Sequence, residues 1–376
     1  MKLTGLIRRR FFVFLAVIAL FLLLCFAMLL LFLPGVTTTE KSADPDLFAR
    51  FDQVLTNGLS HTLDGIVVIP KKYTIFPGYL PPEPQESGFI TCETAGEVYD
   101  VIDSAWELLG DDDIVAWTVD TELAPGTKVR CYRDETILVL TWQELWEGRV
   151  CTWCEVKLAH ASQLRRKLSG DSYGSGVQIS ASELAREDNA VAAVSGDFYA
   201  FRSCGIHVWE GEVYLVSGDT ADTCFFTRSG DMLFVRAGEI TTWEEAVDFV
   251  EKNDVSFSVA FGPVLAEDGF KTIPLNYSWG EIYERYARAV ISQVGDLHYV
   301  FLAANCDSNE YLRATAEEAA DLMLSHGCRS AYSLDGGQTA SVILNGQLVN
   351  RPEFGYERMV SDVICFASAY PGEGKK

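Results

Sequence analysis

The stretch Ala331-Tyr332-Ser333-Leu334-Asp335-Gly336-Gly337-Gln338-Thr339-Ala340-Ser341-Val342-Ile343-Leu344-Asn345-Gly346 decides how this chain is read. A short apolar run ends on an aspartate, two glycines follow, and a second β-rich run begins. Paired glycines let a backbone turn where a Cβ would clash, and they leave N–H groups pointing outward. Such a nest suits an anion, and the Asp335 carboxylate beside it is a candidate acid, base or nucleophile. The plainer reading of the same residues is a Gly-Gly hairpin with a polar shoulder.

Working back from this stretch, residues 315–325 have the spacing of an amphipathic helix closed by His326-Gly327. Strands are expected at 287–293, 297–304, 256–261, 232–235 and 190–195, with a hairpin over 205–208 and 212–216. Helices are expected at 182–187, 241–252 and 94–109, and further strands at 114–119, 128–131, 136–142 and 150–158. Residues 45–57 also have helical spacing, whereas the proline-rich residues 75–88 read as an extended connector. Neither a Walker loop nor a GxGxxG motif is present. The sum is an α+β fold with a mostly β core and flanking helices, not a doubly wound sheet.

The 376 residues carry a formal charge of −23, and 48% of them are hydrophobic. That charge argues against nucleic acid, and against an anionic membrane surface, as partners of the body of the protein. At the start, Arg8-Arg9-Arg10 precede an unbroken apolar run over 11–33, closed by Pro34-Gly35. At about 1.5 Å per residue this run crosses the roughly 30 Å of a bilayer core. No small-residue cleavage site precedes Pro34, and the arginines place the N-terminus in the cytoplasm. The expectation is therefore a transmembrane signal anchor at 11–33, a tether over 34–45, an accessory region over 46–149 and the main domain over 150–370. The last three would lie outside the cell. Of the ten cysteines, Cys151 and Cys154 have C-x-x-C spacing, but no second pair accompanies them. Buried free thiols are the expected state. His160, His298 and His326 are scattered, so neither a metal, a cofactor nor a Ser-His-Asp triad is expected. His207 reads as a satisfied strand histidine. Trp142, Trp146 and Trp153 read as core, with stacking on sugar as the alternative.

Four strand ends carry candidate chemistry. Ser195-Gly196-Asp197-Phe198-Tyr199 places a carboxylate straight after a small-residue strand and a glycine. Phe261-Gly262-Pro263-Val264-Leu265 makes a rigid turn. Arg288 stands inside an apolar run and so needs a partner, either Asp197 or Asp335 as an ion pair, or a phosphate as its ligand. The fourth is Asp335-Gly336-Gly337, followed by Val349-Asn350-Arg351-Pro352. Two carboxylates and an arginine suit cleavage at an anomeric carbon next to phosphate.

In order and wording these stretches resemble the phosphodiester glycosidase family. The matching segments are 193–199, 261–269, 288–293, 334–339 and 346–352, and the resemblance runs from about residue 150 to 368. It implies hydrolysis of a sugar-1-phosphate diester in a surface glycan or secreted polymer, by a bacterial membrane-anchored member of the family. Carried onto this chain, the resemblance implies Asp197, Arg288 and Asp335 as catalytic residues. It implies Ser195, Gly196, Gly336, Gly337, Thr339 and Asn350 as substrate contacts.

The chain also departs from the family pattern. Gln338 stands where a third glycine is expected, and Thr339 replaces the serine after it. Ser292 replaces a glycine, and Asn305-Cys306-Asp307 stands where relatives carry an Asp-Gly-Arg-like loop. These changes keep open a second reading, a module that binds glycan or assists envelope polysaccharide assembly without cutting it.

Overall fold

The computed structural model describes residues 62–63, 66–67, 74–75, 78–305 and 313–370. The expected span at 11–33, the tether and the helix at 45–57 lie outside these residues. Among the described residues no helix is long and apolar enough to cross a membrane. Residues 1–70 form one unit, in which Thr62–Leu63 pairs with Ile66–Val67, and residues 71–376 form another.

The second unit is a β-rich α+β fold built on a nine-stranded sheet. In spatial order the sheet runs Phe270–Lys271, Val264–Glu267, Ala331–Leu334, Arg288–Gly295, His298–Asn305, Arg149–Leu158, Ile137–Trp146, Val129–Arg133 and Phe89–Cys92. The boundary expected between residues 149 and 150 thus lies within the strand Arg149–Leu158 of this sheet. One face of the sheet is covered by the helices Ala95–Ser104, Trp106–Leu109 and Ala316–Ser325, with Trp142, Trp153, Leu302 and Met323 between them. The other face packs through Phe301, Tyr332 and Val156 onto a five-stranded sheet and a three-stranded one. The five-stranded sheet runs Gln347–Leu348, Val342–Leu344, Ala190–Ser195, Asp362–Ala367 and Leu164–Leu168. Its strand Ala190–Ser195 is buried throughout, which explains its unbroken run of small apolar residues.

The sequence pattern locates most of these elements within a few residues. The helices Trp243–Lys252 and Ala316–Ser325 start where Thr242 and Thr315 close capping boxes with Glu245 and Glu318. The strand expected at 114–119 is absent. The buried Glu155 carboxylate takes the N–H groups of Val115 (2.5 Å) and Ala116 (2.9 Å), leaving that backbone no sheet partner. The helix expected over 94–109 breaks at Ala105 into two pieces. All eight cysteines among the described residues are free and buried.

Candidate active site

Segments from two sheets end at one place. The strand Ala190–Ser195 delivers Gly196 and Asp197 from the five-stranded sheet, and Ala331–Leu334 delivers Asp335 from the large one. The Asp335 N–H donates to the Gly196 carbonyl at 3.1 Å and ties the two strand ends together.

Asp362 organises the floor of the junction. Its Oδ2 accepts from Nε of Arg166, and its Oδ1 accepts the Asp197 N–H at 2.9 Å. A Cβ on Gly196 would lie 2.7 Å from that Oδ1, so only glycine fits there. Arg166 also donates through Nη1 to the Ser258 carbonyl. Its buried Nη2 makes no hydrogen bond and lies 3.7 Å from Oδ2 of Asp197. Asp197 is itself fully held, accepting from the N–H groups of Phe198 and Ala260, each at 2.7 Å. A carboxylate with both oxygens against fixed donors braces the backbone and is poorly placed to attack anything.

Asp335 differs from these. It is buried, and burial pushes its carboxyl up to about 7. The Thr339 hydroxyl and the Arg358 guanidinium oppose that rise, and the Asp197 and Asp362 charges add to it. Burial likewise pushes Asp362 up, against the pull of Arg166. A carboxyl group that ionises near neutral pH is a proton carrier suited to general acid or base work.

Aromatic rings and two further arginines surround the carboxylates. Phe198 stacks on Phe201 with centroids 4.7 Å apart, and the exposed Arg358 lies over both rings, at 5.3 and 5.6 Å. Arg202 lies 4.1 Å over Trp279 and pairs with Glu281. Below, Tyr199 lies 5.2 Å from the Arg166 guanidinium and stacks on Tyr173. The Tyr173 hydroxyl is 2.5 Å from Nδ1 of His207, whose Nε2 is 2.8 Å from the Cys204 carbonyl. A carbonyl only accepts, so Nε2 carries the proton and Nδ1 accepts from the tyrosine. Burial holds His207 below its ordinary value, so it is neutral.

Arg288 does not form the ion pair that was one of the two alternatives expected for it, the other being a phosphate ligand. Its guanidinium reaches neither aspartate and donates instead to backbone carbonyls, Ala314 at 3.1 Å, Glu281 at 3.0 Å and Ile282 at 3.2 Å, with Glu284 as a fourth. Burial pulls it down to about 10, so it stays charged, compensated by carbonyl dipoles. It clamps the turn Gly280–Tyr283 to the start of Ala316–Ser325. Ser195 is also used internally, donating to the Thr339 carbonyl at 2.7 Å and accepting the Ser341 N–H at 2.9 Å. Asn350 bridges Val342 N–H and the Ala340 carbonyl at 2.7 and 2.8 Å. The Thr339 hydroxyl donates to the Gly336 carbonyl at 2.6 Å, and the Gly337 N–H donates to the Ala287 carbonyl at 2.7 Å. Gly336, Gly337 and Thr339 therefore shape the turn behind Asp335.

Sequence reasoning overlooked Arg166, Asp362 and Arg358. For Arg166 a signal existed. In Leu164–Leu168 it alternates with two leucines and so lies on the apolar face. Two open clefts lie elsewhere, about 730 Å³ beside Asp231, Gln293 and Arg329, and about 580 Å³ beside Lys128, Arg130 and Asn345. None of the three aspartates lines either one.

A relative in Bacillus subtilis (strain 168), an SPbeta prophage-derived uncharacterized protein, is 25% identical over 196 residues. That match takes in 50% of this chain but only 29% of the relative, so the chain spans under a third of its length. Among solved structures, the catalytic domain of zebrafish N-acetylglucosamine-1-phosphodiester alpha-N-acetylglucosaminidase, auto-inhibited by its pro-peptide, shares the fold. The TM-score is 0.50 at 14% identity, over 66% of this chain and 87% of that one. The family model for phosphodiester glycosidases matches residues 188–367, the stretch that carries Asp197, Arg288, Asp335 and Asp362. Residues 188–367 therefore belong to the phosphodiester glycosidase family.

Proposed function

We propose that the protein is a hydrolase that cleaves the bond between an anomeric carbon and phosphate in a sugar-1-phosphate diester. The observation that carries this reading is Asp335, a buried carboxyl group ionising near neutral pH beside the exposed Arg358. The leaving phosphate is a weak base and needs little help from an acid, whereas water needs a base to attack. Asp335 is then the general base, and Arg358 stabilises the charge that gathers on the departing phosphate. Asp197, Asp362 and Arg166 hold Asp335 in place from below. Attack by water directly on the sugar inverts the anomeric centre.

The full-length protein in detergent, given a panel of α- and β-linked sugar-1-phosphate diesters, should release reducing sugar. Asp335→Asn should lose about a thousandfold in rate. Release unaffected by that substitution would remove Asp335 from the mechanism. No release from any diester, by protein that still binds them, would favour the non-cutting glycan-binding reading.

The same proposal places the domain outside the cell, held by the apolar run at 11–33, with a surface glycan or secreted polymer as substrate. It rests on Arg8-Arg9-Arg10 preceding that run. Protease added to intact cells should remove the C-terminal domain. A fully protected domain would place it inside.

A further inference from the structure

Near one edge of the nine-stranded sheet, the face that packs on the five-stranded sheet turns from apolar to cationic. Tyr132 and Arg130 alternate along Val129–Arg133, so their side chains leave the sheet on one side. Tyr132 is buried there, with Phe89 and Val139 beside it on the flanking strands. One step along, Arg130 stands between Thr91 and Thr141 of the same two strands. Opposite, the hairpin of Val342–Leu344 and Gln347–Leu348 supplies Asn345 and Gln347, both exposed. Arg130, Lys128 and Gln143 on one wall and this hairpin on the other enclose the cleft of about 580 Å³.

Its charge is opposite to that of the chain. The sequence holds 53 acidic residues against 30 lysines and arginines, yet among the described residues no carboxylate lines this cleft and two cations do. The exposed Arg130 guanidinium has no hydrogen-bond or ion-pair partner among the described residues. Lys128 meets Glu93 at 2.5 Å, with both side chains more than half exposed, a contact that an anion displaces at little cost. The cleft is also well away from Asp335. The Asn345 N–H donates to the Val191 carbonyl at 3.0 Å, at the opposite end of Ala190–Ser195 from Asp197. The extended chain from Val191 to Asp197 covers about 20 Å at roughly 3.3 Å per residue. Finally, Lys128, Arg130 and Gln143 lie outside residues 188–367, so the strands that precede the matched domain complete this site.

We propose that this cleft is a second binding site, for a phosphate-bearing segment of a glycan chain remote from the bond that is cut. Arg130 and Lys128 take the phosphate, and the hydroxyls and amides of Thr91, Gln143, Asn345 and Gln347 match the hydroxyls of the sugars. The identity of the ligand rests on the reading above, which the cleft deepens by naming the substrate class. That class is a polymer with repeated phosphates, gripped here while another of its bonds reaches Asp335. Single-stranded nucleic acid also carries phosphates, but its bases stack on exposed aromatic faces, and Phe89, the aromatic residue on the cleft, is half-buried.

The test is titration calorimetry on the full-length protein in detergent, with a dextran bearing phosphate monoesters as probe. Unmodified dextran of the same length, inorganic polyphosphate and a single-stranded oligonucleotide serve as controls. The phosphorylated dextran should bind about tenfold more tightly than any control. Lys128→Gln combined with Arg130→Gln should weaken it about tenfold, the worth of one charge-assisted contact. Gln347→Lys adds a cation to the opposite wall and should tighten binding, a gain that misfolding does not produce. None of these ligands joins phosphate to an anomeric carbon, so the result does not depend on turnover, and the hydrolase reading stands or falls on the diester panel alone. Plain dextran, polyphosphate or the oligonucleotide binding as tightly as the probe would overturn the glycan-phosphate assignment. An affinity that neither variant moves would overturn the site.

Discussion

The guanidinium of Arg166 and the carboxylate of Asp362 meet at 2.5 Å with almost no solvent access to either side chain. They come from neighbouring strands, Leu164–Leu168 and Asp362–Ala367, which end under the catalytic candidates. Removing one charge strands the other where water cannot reach it. Arg166→Met should therefore cost about 3–5 kcal/mol, read as a lower urea midpoint at constant m-value. A loss below 1 kcal/mol would mean that the pair is hydrated in solution.

Gly336 and Gly337 should respond unequally to alanine, and in the opposite order from what their backbone angles suggest. Gly337 has φ +63°, yet a Cβ there meets nothing closer than Glu353 at 3.6 Å. Gly336 has an ordinary φ of −108°, but a Cβ there would lie 2.4 Å from the Ala287 carbonyl oxygen. Overpacking against fixed backbone costs about 3 kcal/mol, and a single strained angle about 1. Thermal melts of the two alanine variants decide between steric contact and backbone conformation as the reason for the pair.

Much of this site was legible before the structure, and the part that was not has a physical reason. Asp197 and Asp335 follow apolar strands directly and sit beside glycines, a local pattern that needs no knowledge of the fold. Arg166 and Asp362 are brought together across 196 positions of sequence by strand pairing alone, and no local signal joins them. Arg288 shows the limit of reasoning from composition. A buried arginine does need partners, but backbone carbonyls serve as well as carboxylates, and a sequence does not show where its carbonyls point. The strand expected at 114–119 went wrong for a related reason, because its N–H groups are captured by Glu155 from another strand.

Arg288 accordingly yields an expectation that separates a clamp on backbone from a clamp on phosphate. A lysine offers one compact charge in place of a planar fork, and it cannot reach carbonyls in two segments at once. Arg288→Lys should therefore lose roughly 3 kcal/mol of stability as carbonyls of Ala314, Glu281, Ile282 and Glu284 lose their donors. A direct phosphate ligand would behave differently, with KM raised for every diester and the melting temperature unchanged.

Asp335 links stability to activity through pH. Its carboxyl lies at about 7 in the folded protein, against an ordinary value of 3.8, so between those limits the folded state binds the proton more tightly than the unfolded one. Stability therefore falls as pH rises from about 4 to about 7, as a buried negative charge appears. Asp335→Asn carries no such charge. The variant should match the wild type near pH 4 and exceed it above pH 7, by at most about 4 kcal/mol. A general base at this position gains activity as it ionises, so wild-type kcat/KM should rise with pH, reach half its limit near 7 and level off above that. The wild type should thus become more active and less stable through one titration. An activity that instead falls through pH 7, with the same divergence of the two stabilities, would make Asp335 the proton donor. Stabilities that keep a constant difference from pH 4 to pH 8 would show that this carboxyl ionises as an ordinary solvated one.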